Sequence, residues 1–165
     1  MKILYLVRHA KSSWKYSGLD DFERPLNKRG RKNAPLMGGV LKKRGVLPDL
    51  ILSSPANRAA TTGRIIAAEI DYPLEDIIYI ESIYGAGERG MIGMIKEMDD
   101  EINKLMLVGH NPGMTNLANT VGNDPVSNIP TSGVYCVHLE ISSWEMIRDQ
   151  CGKTEFFEYP KKYAA

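Results

Sequence analysis

Four short runs of mostly branched apolar residues, Ile3–Val7, Leu50–Ser53, Ile77–Ile80 and Leu105–Val108, each give way to Gly, Pro, Ser or Asn and then to a helix-period pattern. Runs this short and this apolar read as buried parallel strands. Between them, Ala34, Met37, Val40 and Leu41 line one face of a helix that starts near Asn27 and stops at Gly45. Lys42, Lys43 and Arg44 suit its negative C-terminal end. A second helix follows Pro55, with Ala59, Thr62, Ile65, Ile66 and Glu69 at helical spacing, and Pro55 is expected in its first turn, where a missing N–H costs nothing. A third runs from about Glu88 to Met98, its methionines 91, 94 and 98 at core spacing, and a fourth begins after Pro112. Strand alternating with helix predicts an α/β fold: a three-layer α/β/α arrangement with helices on both faces of a mainly parallel sheet. Tyr135, Val137, Leu139 and Ile141 then alternate with Cys136, His138 and Glu140, which predicts a strand with one face more buried than the other. Phe156, Phe157 and Tyr159 are expected to add a last edge strand.

At 165 residues and 43% apolar content, the chain can bury one substantial core. With no internal repeat, low-complexity tract or linker, it is read as a single domain over 1–165. Lys plus Arg total 21 against 20 for Asp plus Glu, so no basic footprint points to nucleic acid or an anionic membrane as partner. Cys136 and Cys151 form no CxxC or Cys/His cluster, which argues against zinc and fits reduced thiols. The run Ile3–Val7 is too short for a signal peptide or a membrane span, so a cytoplasmic location is expected.

In open α/β sheets ligands bind beyond the carboxyl ends of the strands, and the unusual residues fall there. Arg8-His9 follows the first run, Ser53-Ser54-Pro55-Ala56-Asn57-Arg58 the second, Glu81 the third and Gly109-His110-Asn111-Pro112-Gly113 the fourth. Either histidine alone reads as readily as a hydrogen-bonded structural residue; two of them beside arginines on one rim favour function. Two His and two Arg without paired carboxylates make a poor Mg²⁺ or Ca²⁺ site. A hydrolytic zinc site wants three ligands, and only Glu81 offers itself as a third. The set suits an oxyanion, with guanidinium forks matching phosphate oxygens; no metal or cofactor is expected. An imidazole whose second nitrogen is held by a hydrogen bond can attack phosphorus and form a phosphohistidine that water later hydrolyses. His9 is then the nucleophile, His110 a charge-stabilising donor, and Arg8 and Arg58 hold the phosphoryl group. Ser53, Ser54 and Ser132 keep a serine hydrolase in view, although no GxSxG elbow is present.

Four ordered segments resemble motifs of the histidine phosphatase superfamily. Leu6-Val7-Arg8-His9-Ala10 resembles its RHG motif, with Ala10 in place of the usual Gly. Leu26-Asn27-Lys28-Arg29-Gly30-Arg31-Lys32-Asn33-Ala34, Ser54-Pro55-Ala56-Asn57-Arg58-Ala59-Ala60-Thr61-Thr62 and Val108-Gly109-His110-Asn111-Pro112 are similar to its LTxxGxxQA, SPxxRAxxT and second-histidine segments. Val7–Trp14, Arg24-Pro25-Leu26 and the short length are most similar to the SixA-type phosphohistidine phosphatases. The resemblance implies a phosphoglycerate-mutase-like fold, phosphorylation of His9 during the cycle, and a phosphate pocket of Arg8, Arg58 and His110. Arg24 is a fifth candidate, whose competing reading is a surface arginine paired with a neighbouring Asp. Glu81 stands before Ser82-Ile83-Tyr84-Gly85 at a spacing that resembles the acid-bearing segment of the mutases; Glu88 and Asp21 are reserves for that role. Lys11 is placed to steer an anion, Trp14 either to wall the site or to pack its loop, and Thr131-Ser132-Gly133 to lend donors.

Larger relatives carry a helical insertion over the site, whereas only a short segment separates Glu81 from Leu105. An uncovered site favours a phosphoryl group displayed on a protein and disfavours a mutase, which must exclude water. The leading expectation is a metal-independent phosphatase of protein phosphohistidine. A phosphatase of small phosphomonoesters and a non-catalytic phosphoprotein-binding module are the alternatives; the physiological substrate and the oligomeric state are not written in these residues.

Overall fold

The first apolar run becomes a strand, β1 (Lys2–Arg8), whose side chains divide between two cores. Leu4 and Leu6 enter one and Tyr5 and Val7 the other, all nearly inaccessible to water. A strand covered on both faces has no polar side to show, which is why the run does not alternate. In the computed structural model, which describes residues 1–163, the chain continues through α1 (Lys28–Lys43), β2 (Leu50–Ser53), α2 (Asn57–Glu69), β3 (Ile78–Tyr79), α3 (Glu88–Lys96), β4 (Lys104–Gly109), α4 (Gly113–Val121), β5 (Val134–Leu139) and β6 (Gly152–Glu158). The strands form one sheet in the order β3-β2-β4-β1-β5-β6. The pairs β2–β3, β2–β4 and β1–β4 are parallel, while β5 runs antiparallel to both β1 and β6. Met37, Leu41, Ala59 and Ile66 of α1 and α2 cover one face; Met91, Ile95, Met114 and Leu117 of α3 and α4 cover the other.

Helix α1 begins where the Asn27 side chain accepts from Gly30 N at 2.8 Å, an N-cap. It ends at Gly45, whose φ of +74° is the left-handed conformation that terminates helices. Three local expectations need correction. Pro55 lies outside α2, since Ala56 is the N-cap. The Ile77–Ile80 run pairs only through Ile78 and Tyr79, which are exposed because β3 is the sheet's edge. The asymmetry expected of β5 holds only at its end, where His138 is partly open and the following Glu140 exposed, whereas Val134 and Cys136 on the same side are buried beneath the layer of α1 and α2. The expected last edge strand is β6, and Tyr159 falls just beyond it.

Candidate active site

Because β5 runs antiparallel to β1, its first residues reach the same rim as the last residues of β1, β2 and β4. Main-chain hydrogen bonds lace these ends together. His9 N donates to Gly109 O at 3.0 Å, Ser54 N to Val108 O at 2.9 Å, and Arg8 N to Gly133 O at 3.1 Å. Ser132 N reaches the carbonyls of both Arg8 and His9 at 3.1 Å, and Ser132 adopts a left-handed φ of +64°, uncommon for a residue with a side chain. Beyond β1, the nucleophile loop is pressed between two helices. Asn27 N donates to Lys11 O at 2.9 Å, and Gly30 packs so closely that a Cβ there would overlap that carbonyl. From the other side, Thr62 Oγ accepts from Ala10 N at 2.9 Å while donating to Arg58 O at 2.7 Å. Ala10, where the resembling motif has Gly, is fully buried and fills a small cluster with Leu26 and Ala34.

His9 and His110 stand side by side, ring centroids 5.1 Å apart. His9 Nδ1 lies 2.7 Å from Ala10 O. A carbonyl oxygen only accepts, so Nδ1 carries the proton and Nε2 keeps its lone pair. Burial, with the charges of His110, Arg58 and Arg8, pushes the His9 pKa down to about 3. Burial first and Arg58 second bring His110 to about 4. Both rings are therefore neutral at pH 7. His110 Nε2 meets Ser54 Oγ at 2.8 Å. Asn111, joined to Pro112 by a cis peptide, donates to Ile129 O at 3.1 Å, the carbonyl that also accepts from Arg8 Nη1 at 2.9 Å.

Arg58, in the first turn of α2, donates to the Asp21 carbonyl at 2.7 Å and to Asp21 Oδ2 at 3.1 Å. Arg24 donates to Asp21 Oδ1 at 2.9 Å, to Ser13 O at 3.0 Å and to Ser12 Oγ. At 8% exposure Arg24 is no surface arginine, although the Asp partner of that reading is present. The Tyr84 hydroxyl also donates to Asp21 Oδ2, at 2.5 Å. That bond and then Arg24 hold Asp21 well below the usual carboxylate range, so the reserve acid is an ionised clamp on two arginines. Arg8, His9, Lys11, Ser12, Trp14, Arg24, Arg58 and Thr131 line one cavity of about 170 Å³. A larger hollow beside Val40 and Glu158 contains none of the strand-end residues. Arg8 Nε, His110 Nδ1 and Ser132 Oγ, all from segments that meet at this rim, are buried without a hydrogen-bond partner among the described residues. Buried polar atoms left unpaired cost about 1–3 kcal/mol each; the donors that face the cavity itself are the guanidinium groups of Arg8, Arg24 and Arg58, which suit an oxyanion.

Glu81 is exposed, in a 3₁₀ turn after β3, and its carboxylate makes no hydrogen bond or ion pair among the described residues. Glu88 opens α3 without such a partner either. The residue of that segment that reaches the histidines is Tyr84, its ring packed edge-on to His110 at 5.5 Å between centroids. The sequence points to an Asp beside Arg24, and Asp21 is that partner, but not to its hold on Arg58, nor to the contacts of Tyr84, Thr62 and Ser54. Of these, Thr62 carries a signal, four residues after Arg58 and so on the same helix face.

Residues 4–86 match the family model of the histidine phosphatase superfamily (branch 1). An uncharacterised Mycobacterium tuberculosis protein is 32% identical over 165 residues, covering 94% of this chain and all of that protein. Among solved structures, a chain of Agrobacterium tumefaciens assigned as the phosphohistidine phosphatase SixA is 32% identical with a TM-score of 0.80, covering 96% of this chain and 98% of that one. The protein histidine phosphatase SixA complexed with tungstate shares the fold at a TM-score of 0.78 and 18% identity, covering 98% of this chain and 99% of that one. With the family model spanning half of it and a relative at 32% identity aligned over nearly all of it, this chain belongs to the histidine phosphatase superfamily.

Proposed function

We propose that this chain hydrolyses phosphohistidine on a protein, without a metal, by way of a phosphorylated His9. The observation that carries this is the state of His9: a buried, neutral ring whose Nδ1–H donates a hydrogen bond to Ala10 O, leaving Nε2 as the free nucleophilic nitrogen in a cavity shared with Arg8 and Arg58 and beside His110. Nε2 attacks phosphorus in line as the P–N bond to the substrate imidazole breaks. Arg8 and Arg58 spread the charge of the equatorial oxygens. The departing imidazole takes a proton from solvent, which a group of pKa about 6.5 does readily near neutrality, so the absence of any contact to Glu81 is no obstacle. Water then attacks phosphorus, the His9–P bond breaks, and phosphate leaves with Nε2 restored.

The cavity supports a phosphoryl group borne on something large. At about 170 Å³ the cavity of His9 seats a phosphoryl group and little more, so the rest of the substrate must extend past Trp14 and Arg24. The test is phosphate release, in EDTA, from a histidine-phosphorylated phosphotransfer domain and from p-nitrophenyl phosphate. Release that persists in EDTA, prefers phosphohistidine, vanishes in His9→Ala and survives Glu81→Gln is expected. Preference for the ester with loss in Glu81→Gln would turn the reading to small phosphomonoesters, whose alkoxide leaves poorly without an acid. Release undiminished in His9→Ala would overturn the nucleophile.

A further inference from the structure

Between β1 and α1 the chain makes an excursion whose base is clamped and whose tip is apolar. Ser12 bridges Leu26, Ser13 N donates to Pro25 O at 2.8 Å, and Arg24 holds Ser12 and Ser13 from within. Beyond the clamp stand Trp14, Tyr16 and Leu19, exposed at 77%, 53% and 41%. Scattered apolar residues on a surface need no explanation, but three on one loop beside a cationic pocket do. Trp14 is not loose. The Arg24 guanidinium lies 3.3 Å from its ring centroid, and Arg24 is itself buried and hydrogen-bonded. One face of the indole rests on a fixed cation and the remainder is open to solvent.

Trp14, Tyr16 and Leu19, with Ser13, Asp21 and Arg24, enclose a hollow of about 270 Å³. It shares Trp14 and Arg24 with the cavity that holds His9. Whatever carries a phosphoryl group seated at His9 is thereby brought against this loop. We propose that the 14–19 loop is the docking surface for the phosphorylated protein, taking an apolar side chain that flanks its phosphohistidine. This rests on the reading that the substrate is a phosphoprotein and names the surface that selects it. A Trp already held by its neighbour loses little freedom on binding, the condition under which aromatic anchors contribute most. The exposed cations Lys11 and Lys15 are matched by exposed Asp20 and Glu23, so the loop offers no net charge to an anionic lipid surface.

The test compares KM and kcat on a histidine-phosphorylated phosphotransfer domain with those on phosphoramidate, a small P–N substrate with no flanking chain. The variant is Tyr16→Ala/Leu19→Ser, neither residue lining the cavity of His9. KM for the domain is expected to rise about tenfold, with phosphoramidate kinetics unchanged. Trp14→Ala is expected to raise the domain KM further and Trp14→Phe to restore part of it. Equal losses on both substrates, or none on either, would overturn the docking surface. A native enzyme that turns over phosphoramidate but not the domain would instead overturn the phosphoprotein reading beneath it. Self-association in sedimentation velocity, or binding to vesicles of anionic lipid, that is abolished by Trp14→Ala without any kinetic change would give the surface to another occupant and sink the proposal.

Discussion

Asp21 sets a negative charge on the two arginines meant to receive phosphate oxygens. Ionised at any working pH, it orients Arg58 through both its carbonyl and its carboxylate and competes with a phosphoryl group for the same donors. Asp21→Asn should therefore loosen Arg58 and lower kcat, yet tighten inhibition by inorganic phosphate about fivefold. That factor follows from roughly 1 kcal/mol of repulsion removed at an effective dielectric between protein and water. Inhibition constants for phosphate in the two proteins check it; weaker phosphate binding in Asp21→Asn would make the carboxylate a positioning group only. The bridging of Arg58 and Tyr84 by Asp21, unlike its pairing with nearby Arg24, was hidden in the sequence for a physical reason. Arg8, His9, Arg58 and His110 stand next to apolar runs or at a helix start, where a local pattern predicts both the element and the rim it faces. Asp21 and Tyr84 come from 3₁₀ turns with no period of their own, and tertiary packing alone brings them together. Glu81 shows the converse: adjacency to a strand end did not bring it into contact with the histidines, because β3 is a two-residue edge strand and the chain turns away at once.

At the scale of elements, the nucleophile loop is held by contacts from α1 and α2 and has little regular structure of its own. Thr62→Val removes the acceptor for the buried Ala10 N–H and should lower stability by about 1–3 kcal/mol, the cost of stranding a buried donor. Because Ala10 O fixes the His9 ring, kcat should fall as well, while a Thr62→Ser variant that keeps the hydroxyl retains both. Denaturant midpoints and turnover of the three proteins decide this; a Val variant less stable but fully active would separate the clamp from the catalytic geometry. Gly30→Ala attacks the same loop from α1. A methyl there meets backbone, which cannot rotate away, so a loss of about 1–3 kcal/mol from overpacking is expected, with a fall in kcat that Gly39→Ala, facing open space on the same helix, does not share. The helices and strands themselves were legible because burial imposes periods of 3.6 and 2 on apolar residues. The contacts between them were less so, since a glycine in a helix does not announce which backbone it lies against.

For the whole molecule, the two rim histidines tie folding to pH. In the unfolded chain each titrates near 6.5; in the folded site His9 titrates at about 3 and His110 at about 4. Across that interval the unfolded state binds more protons, so linkage makes stability rise with pH and fall on acidification. The pair should contribute on the order of a few kcal/mol between pH 6.5 and pH 4.5, a large share of the 5–15 kcal/mol that holds a domain of this size together. Asp21 and the buried, ion-paired Glu158, whose pKa values are also lowered, lose their contributions as pH falls through the carboxylate range, so the upper part of that window, above about pH 5, reports mainly the histidines. Urea midpoints measured across that window should drop steeply for the native chain and much less for His9→Gln/His110→Gln, which holds the same positions with groups that do not titrate. If both proteins lose stability in parallel, the acid sensitivity lies outside the rim, and neutral, buried histidines do not describe the unliganded site. If the slopes separate, the neutral nucleophile required for attack on phosphorus is a property that folding itself maintains.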